Sequence, residues 1–207
     1  MKYIFTFLFS FFSFSLIAQD DLLNDLMKTQ DSSTSLLPKK MLFTQRIMWG
    51  EHGLLRGASP LTAANREKEL KIRRGMLVTH QVLGFATLGG MVGQGIVGAK
   101  LYNSTGRTAR NLKDVHEGLG AFVNITYSTT AVMSLFAPPP LINRDKKISS
   151  IRVHKWLAVV HLSSMIATNV LAGMLEGPNG AKIKPYHRAA AYTAFGSYAA
   201  AVIAIKF

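Results

Sequence analysis

Cysteine is absent from the 207 residues. That excludes disulfides, thiolate metal sites, iron–sulfur clusters and any thioether-linked cofactor. Acidic residues are scarce, 11 Asp and Glu against 24 Lys and Arg. The long apolar stretches after residue 74 carry almost none: Glu117 near one start and Glu176 at one end. Zinc and di-iron sites draw on converging ligands, usually with carboxylates, and a proton-coupled transporter needs them in mid-span, so these classes are disfavoured. Charge is low overall: 17% charged residues against 48% hydrophobic ones, and the mean hydropathy is +0.18. A soluble domain of this length carries more charge. A net charge of +13 suits nucleic acid in principle. Here the basic residues flank apolar runs, which places them at a lipid surface and argues against nucleic acid.

Met1 to Ala18 reads as a signal peptide. Lys2 supplies the charge, Ile4 to Ile17 a Phe-rich core, and Leu16-Ile17-Ala18 precedes Gln19-Asp20. The core is too short for a comfortable membrane span. Cleavage after Ala18 leaves Gln19 as the first residue; an uncleaved anchor is the alternative. Either way residues 19–74 are expected on the exported side. The leader has a bacterial character, which makes that side the periplasm and the membrane the inner one. Asp20 to Lys40 is polar and Ser/Thr-rich. Met41 to Leu55 suggests a short amphipathic helix on the membrane surface with Trp49 at the interface, although Gly50 and Gly53 oppose it. Ser59-Pro60 opens a charged helical stretch, Leu61 to Arg74, that runs straight into the first apolar span.

Four spans follow, about Gly75 to Gly98, Val115 to Ala137, Val153 to Leu175 and Tyr186 to Ile205. Each holds about 20 mostly apolar residues, enough to cross a bilayer core of roughly 30 Å. Pro138-Pro139-Pro140 stops the second, Gly177-Pro178 follows the third, and Pro185 opens the fourth. Short loops predict an all-α membrane protein: an up-down four-helix transmembrane bundle over residues 75–207, with a short exported N-terminal segment. Gly89 and Gly93 form a GxxxG pair in a chain rich in small residues, which allows close helix approach.

Each span carries a histidine near its start: His80, His116, His154 and His187, at nearly even intervals of one crossing plus a short loop. A histidine inside an apolar span is costly without a partner. Antiparallel helices sort the four by depth into two pairs, His80 with His154 and His116 with His187, one near each membrane face. Two imidazoles from facing helices are the axial ligands of a b-type haem, so the set predicts two haems b. The third span offers a second candidate. His161 lies two turns deeper than His154 on nearly the same face, and its distance from the flanking Lys155 matches that of His80 from Arg74. Basic residues surround both levels: Arg73, Arg74, Arg152 and Lys155 at one, Lys113, Lys184 and Arg188 at the other. They suit haem propionates, an anionic donor such as ascorbate, or lipid headgroups.

From Gly75 to the C-terminus the chain resembles the cytochrome b-561 family and related membrane cytochromes. The resemblance lies in the helix count, the histidine placement, His154-Lys155-Trp156-Leu157-Ala158, and His116-Glu117-Gly118-Leu119-Gly120-Ala121-Phe122. It implies one haem-ligating histidine per helix, paired on alternate helices, and it favours His154 over His161. It has no counterpart for residues 19–74, and it lacks the additional helices many members carry. The expectation is a membrane electron carrier exchanging electrons with quinol or a small soluble donor and acceptor, with other membrane redox subunits as further partners. The alternatives are a cofactor-free four-helix scaffold or assembly subunit, and a single-haem or quinone-binding subunit of a larger oxidoreductase. The basic residues flanking the spans are equally numerous on the two sides, so charge does not set the orientation; the leader alone does.

Overall fold

Forty residues run without a break from Ala63 to Tyr102 as one helix. Thr62 caps it, its hydroxyl accepting the Asn65 N–H at 3.3 Å. A computed structural model describes residues 36–141 and 149–206. Its elements are α1 (Phe43–Trp49), a 3-10 turn (Leu54–Gly57), α2 (Ala63–Tyr102), α3 (Gly106–Leu135), α4 (Ser150–Met174) and α5 (Gly180–Lys206). The fold is all-α, with no strand among the described residues. The leader expected at residues 1–18, the polar segment to residue 35 and the basic residues Arg144, Lys146 and Lys147 lie outside them.

The four long helices form two antiparallel hairpins, α2 with α3 and α4 with α5. Gly106 takes φ +61° at the turn between α2 and α3, a left-handed conformation that glycine alone adopts freely. At Gly90 α3 packs tightly on α2: a Cβ there would meet Val123 Cγ2 at 2.8 Å. The hairpins join along α2 and α5. Between α3 and α4 they join through a reciprocal amide pair, Asn124 to Asn169 at 2.8 Å and Asn169 to Asn124 at 3.0 Å.

Two boundaries differ from the sequence reading. α3 starts at Gly106, not near Val115, and α5 at Gly180, not at Tyr186. Pro185 therefore sits inside α5. In the second turn it forfeits one backbone bond, and Lys184 beside it ties the turn to α2 by donating to the Tyr102 carbonyl at 2.8 Å.

The interior mixes apolar side chains, Met91, Val123, Tyr127, Met165 and Tyr198, with small and polar ones, and much of the outside is apolar. Thr87, Ala194, Ala201, Thr130 and His161 are buried, while Ile125, Val159, Ile166, Val170 and Ile203 are exposed. Among the described residues two helices, α2 and α4, are long and apolar enough to cross a membrane. At 30 and 27 residues, α3 and α5 are also long. Hydroxyls lower their apolar character, yet those of Thr126, Thr130, Thr193 and Ser197 are spent on carbonyls of their own helix.

The segment before α2 docks on the end of α3. Residues 138–140 are prolines and have no N–H. Phe136 still donates to the Val132 carbonyl at 3.0 Å, but the carbonyls that would look to residues 138–140 lack their usual local donors. Thr44 Oγ1 donates to the Leu135 carbonyl at 2.6 Å, Gln45 Nε2 to Ala137 at 3.0 Å, and Trp49 Nε1 to Phe136 at 2.9 Å. Trp49 is thus buried in the protein, not placed at a lipid interface as its sequence context suggested. α2 adds Arg66 to the Pro139 carbonyl at 3.1 Å and Arg73 to that of Pro138 at 2.6 Å.

The charges behind this cap are paired. Glu69, 1% exposed, receives Arg56 at 2.5 Å, Ser59 at 2.9 Å and the buried Arg66. Burial pushes the Glu69 carboxyl up; hydrogen bonds from Arg56, Arg66 and Ser59, with the Arg66 charge, outweigh it and hold it below the usual carboxylate range.

Candidate functional site: two facing histidine pairs

Histidines on alternate helices meet twice. His80 of α2 faces His154 of α4, ring centres 6.2 Å apart and planes at 78°. His116 of α3 faces His187 of α5, ring centres 6.5 Å apart and planes at 75°. Each pair crosses from one hairpin to the other.

Hydrogen bonds at the back of the rings fix three of the four. His80 Nδ1 meets the Thr130 carbonyl at 2.9 Å, His154 Nδ1 that of Ala201 at 2.9 Å, and His187 Nδ1 that of Thr168 at 3.0 Å. A carbonyl only accepts, so Nδ1 carries the proton and donates, and Nε2 keeps its lone pair. That is the tautomer a metal ligand needs, with the ring held from behind by a hydrogen bond. The Nδ1 of His116 is buried and has no partner.

The carbonyls recur at one interval. Thr130 follows His116, Thr168 follows His154 and Ala201 follows His187 at the same separation along the chain. That separation, about 14 residues or four helical turns, rises about 21 Å along a helix, so the two pairs lie at levels about 21 Å apart.

His161 joins neither pair. It is buried between the two levels; its Nδ1 meets Tyr127 Oη at 2.8 Å, and its ring centre is 5.0 Å from that of Tyr198. Tyr198 in turn donates to the Gly84 carbonyl at 3.2 Å. Of the two candidates on α4, the structure thus sets His154 opposite His80.

Several flanking basic residues are engaged within the chain. Arg73 is bound to Pro138. Lys113 pairs with Glu176 at 2.6 Å and Glu117 at 3.4 Å. Arg188 lies over the rings of Tyr102 and Tyr192. Trp156, in the stretch after His154, is exposed. Tyr127, Tyr198, Gln94 and the Arg66–Glu69 pair escaped the sequence reading. Each is a polar group in or beside an apolar stretch, the signal that singled out the histidines.

No group of three or more His, Asp or Glu residues converges among the described residues. The donor sets are pairs of imidazoles. Two imidazoles on opposite sides of one metal, bound through Nε2 at about 2 Å with each ring centre about 1.2 Å behind its nitrogen, would have centres a little over 6 Å apart. Both pairs fit that spacing.

Comparison with family models, with curated proteins and with solved structures finds no match to this chain.

Proposed function

We propose that the chain is a four-helix transmembrane electron carrier that holds two haems b, one between His80 and His154 and one between His116 and His187. The observation that carries the reading is the double pairing: two imidazole pairs at ligand spacing, on alternate helices, with Nε2 left free. The likeness to the b-561 family rests on the same residues.

The chain's own contribution is binding, orientation and exclusion of water. The carbonyls of Thr130, Ala201 and Thr168 hold three ligands in one tautomer and add to their basicity. The haem iron, when bound, supplies the reversible one-electron chemistry. Tyr127, His161 and Tyr198 fill the interior between the two levels and keep it close-packed.

The membrane setting is supported by the exposed apolar side chains and the inward polar ones. A soluble protein does not leave so much apolar surface open, and in lipid every buried polar group must find an internal partner. α3 and α5 cross beside α2 and α4 in this reading, their hydroxyls bonded to their own carbonyls. The leader sets the N-terminal segment and the His80 level on the periplasmic side of a bacterial inner membrane. Electrons come from quinol or a soluble donor and leave to an acceptor at the other face.

The test is spectroscopic. Purified protein shows a reduced-minus-oxidised haem b spectrum and about two haems per chain by pyridine haemochrome. His154→Ala lowers the count by one and His161→Ala does not. A folded, colourless protein from haem-replete membranes overturns the reading and leaves a cofactor-free scaffold.

A further inference from the structure

Only two buried side-chain polar atoms among the described residues have no hydrogen-bond partner: Nδ1 of His116 and Oε1 of Gln94. They belong to the same short stretch of the seam between α2 and α3. Gly98, one turn beyond Gln94, lies against the His116 ring, where a Cβ would meet Cε1 at 3.0 Å. Gly120, one turn beyond His116, lies against Gln94, where a Cβ would meet Nε2 at 2.9 Å. The two glycines thin the seam at the places where these side chains need room.

The four-turn interval singles out the same residue. On α3, α4 and α5 the position that far beyond the histidine is an acceptor for a histidine on its hairpin partner. On α2 the position at the same separation beyond His80 is Gln94. The α4–α5 hairpin makes its two bonds reciprocally, His154 to Ala201 and His187 to Thr168. The α2–α3 hairpin makes His80 to Thr130; the reciprocal bond, from His116 to position 94, is not made, and His116 Nδ1 and Gln94 Oε1 are both left without a partner.

We propose that Gln94 is the positioning residue of His116, its side-chain carbonyl oxygen accepting the Nδ1–H. Rotation about the Gln94 side-chain torsions makes the contact. A ligand that uses Nε2 must carry its proton on Nδ1, and a buried N–H requires an acceptor. Three of the ligands take a backbone carbonyl, which no side-chain substitution can alter. His116 takes an amide, so its basicity is open to change through one residue. The inference rests on the reading of His116 as a haem ligand.

Three variants test it in the full-length protein, each checked for an unchanged melting profile: Gln94→Leu, Gln94→Glu and Gln94→Asn. In Gln94→Leu one of the two haems dissociates about tenfold more readily, the usual consequence of losing a partner behind a ligand. The midpoint potential of that haem rises, and its low-temperature electron paramagnetic resonance signal moves. In Gln94→Glu the potential of the same haem falls, because a stronger acceptor makes the imidazole a better donor to ferric iron. Gln94→Asn retains part of the wild-type behaviour. The other haem is unmoved throughout. Nitrogen-15 resonances of histidine in the haem-free chain read the bond without the cofactor: His116 Nδ1 shifts in Gln94→Leu, and those of His80, His154 and His187 stay. Two haems unchanged in all variants, or leucine and glutamate shifting the potential in the same direction, or a still His116 resonance, overturns the proposal. A wild-type protein without haem overturns the function reading instead, and the nitrogen-15 result then stands by itself.

Discussion

At the end that carries His80 and His154, five carbonyls from Leu135 to Pro139 are covered by side chains from Thr44, Gln45, Trp49, Arg66 and Arg73. Behind them Glu69 and Arg66 are paired and almost wholly out of solvent. At the end that carries His116 and His187 the ion pairs lie on the surface, beside a partly buried bond from Lys184 to the Tyr102 carbonyl. Lys113 and Glu176 meet with half or more of each side chain exposed, and Arg188 rests on tyrosine rings. The histidine pairs are alike in spacing, and the ends beyond them are not. The difference follows from two kinds of turn in the sequence. Asn103 and Ser104 after α2, and Leu175 and Gly177 after α4, donate back to carbonyls of the helix they follow. After α3, Phe136 still donates to the Val132 carbonyl, but the three prolines that follow have no N–H, and the N-terminal segment supplies donors to the carbonyls around them. Polar residues that look like a solvated linker are therefore structural.

The largest expected effect breaks the covered end. Glu69→Ala leaves Arg66 buried without its counter-charge and lowers stability by about 3–5 kcal/mol, measured by denaturant unfolding in micelles. The isosteric Glu69→Gln loses less.

Acid sharpens the same contrast. The Glu69 carboxyl is held below its ordinary range when folded. Its contribution is complete above the ordinary carboxylate pKa and disappears as pH falls through the depressed folded value. The melting temperature of the wild type should drop in that window, and that of Glu69→Gln should drop by less. Equal curves would remove Glu69 from the account.

A smaller effect comes from Trp49→Phe. It keeps an aromatic ring and deletes the bond to Phe136, and the cost is about 1 kcal/mol. Protease cleavage before residue 62 should become faster, while the haem count stays the same.

The smallest is at the open end. Lys113→Ala removes two exposed ion pairs and should leave melting unchanged, since such pairs contribute little. A loss as large as that of Glu69→Ala would erase the distinction between the ends.

The histidines and helices were legible because both depend on local pattern: an apolar run of the right length, and a costly polar residue recurring at the same depth in each. The boundaries of α3 and α5 were less so. Arg107, Arg110, Lys182 and Lys184 mark where an apolar run stops, not where backbone bonding stops. The choice between His154 and His161 was beyond periodicity, since both lie on nearly one face; Tyr127, on another helix, engages His161. The docking of Trp49 on Phe136 joins positions far apart in the chain. Its only trace was negative, three consecutive residues that cannot donate. Gln94 carried the mark of a polar residue in an apolar run, but its relation to His116 needs the register between helices.

The interval from each histidine to the acceptor on its own helix limits how this chain can change length. It is close to four full turns, so on α3, α4 and α5 each histidine shares a face with the carbonyl its helix lends to a neighbour. One inserted residue would swing the two apart by about 100°. Insertions that keep both in place come in steps of about seven or about eleven residues, and they must occur in both helices of a hairpin together. The helices between the two levels are a matched set of rulers, and relatives of this protein should differ in their turns and ends while these four segments stay equal in length.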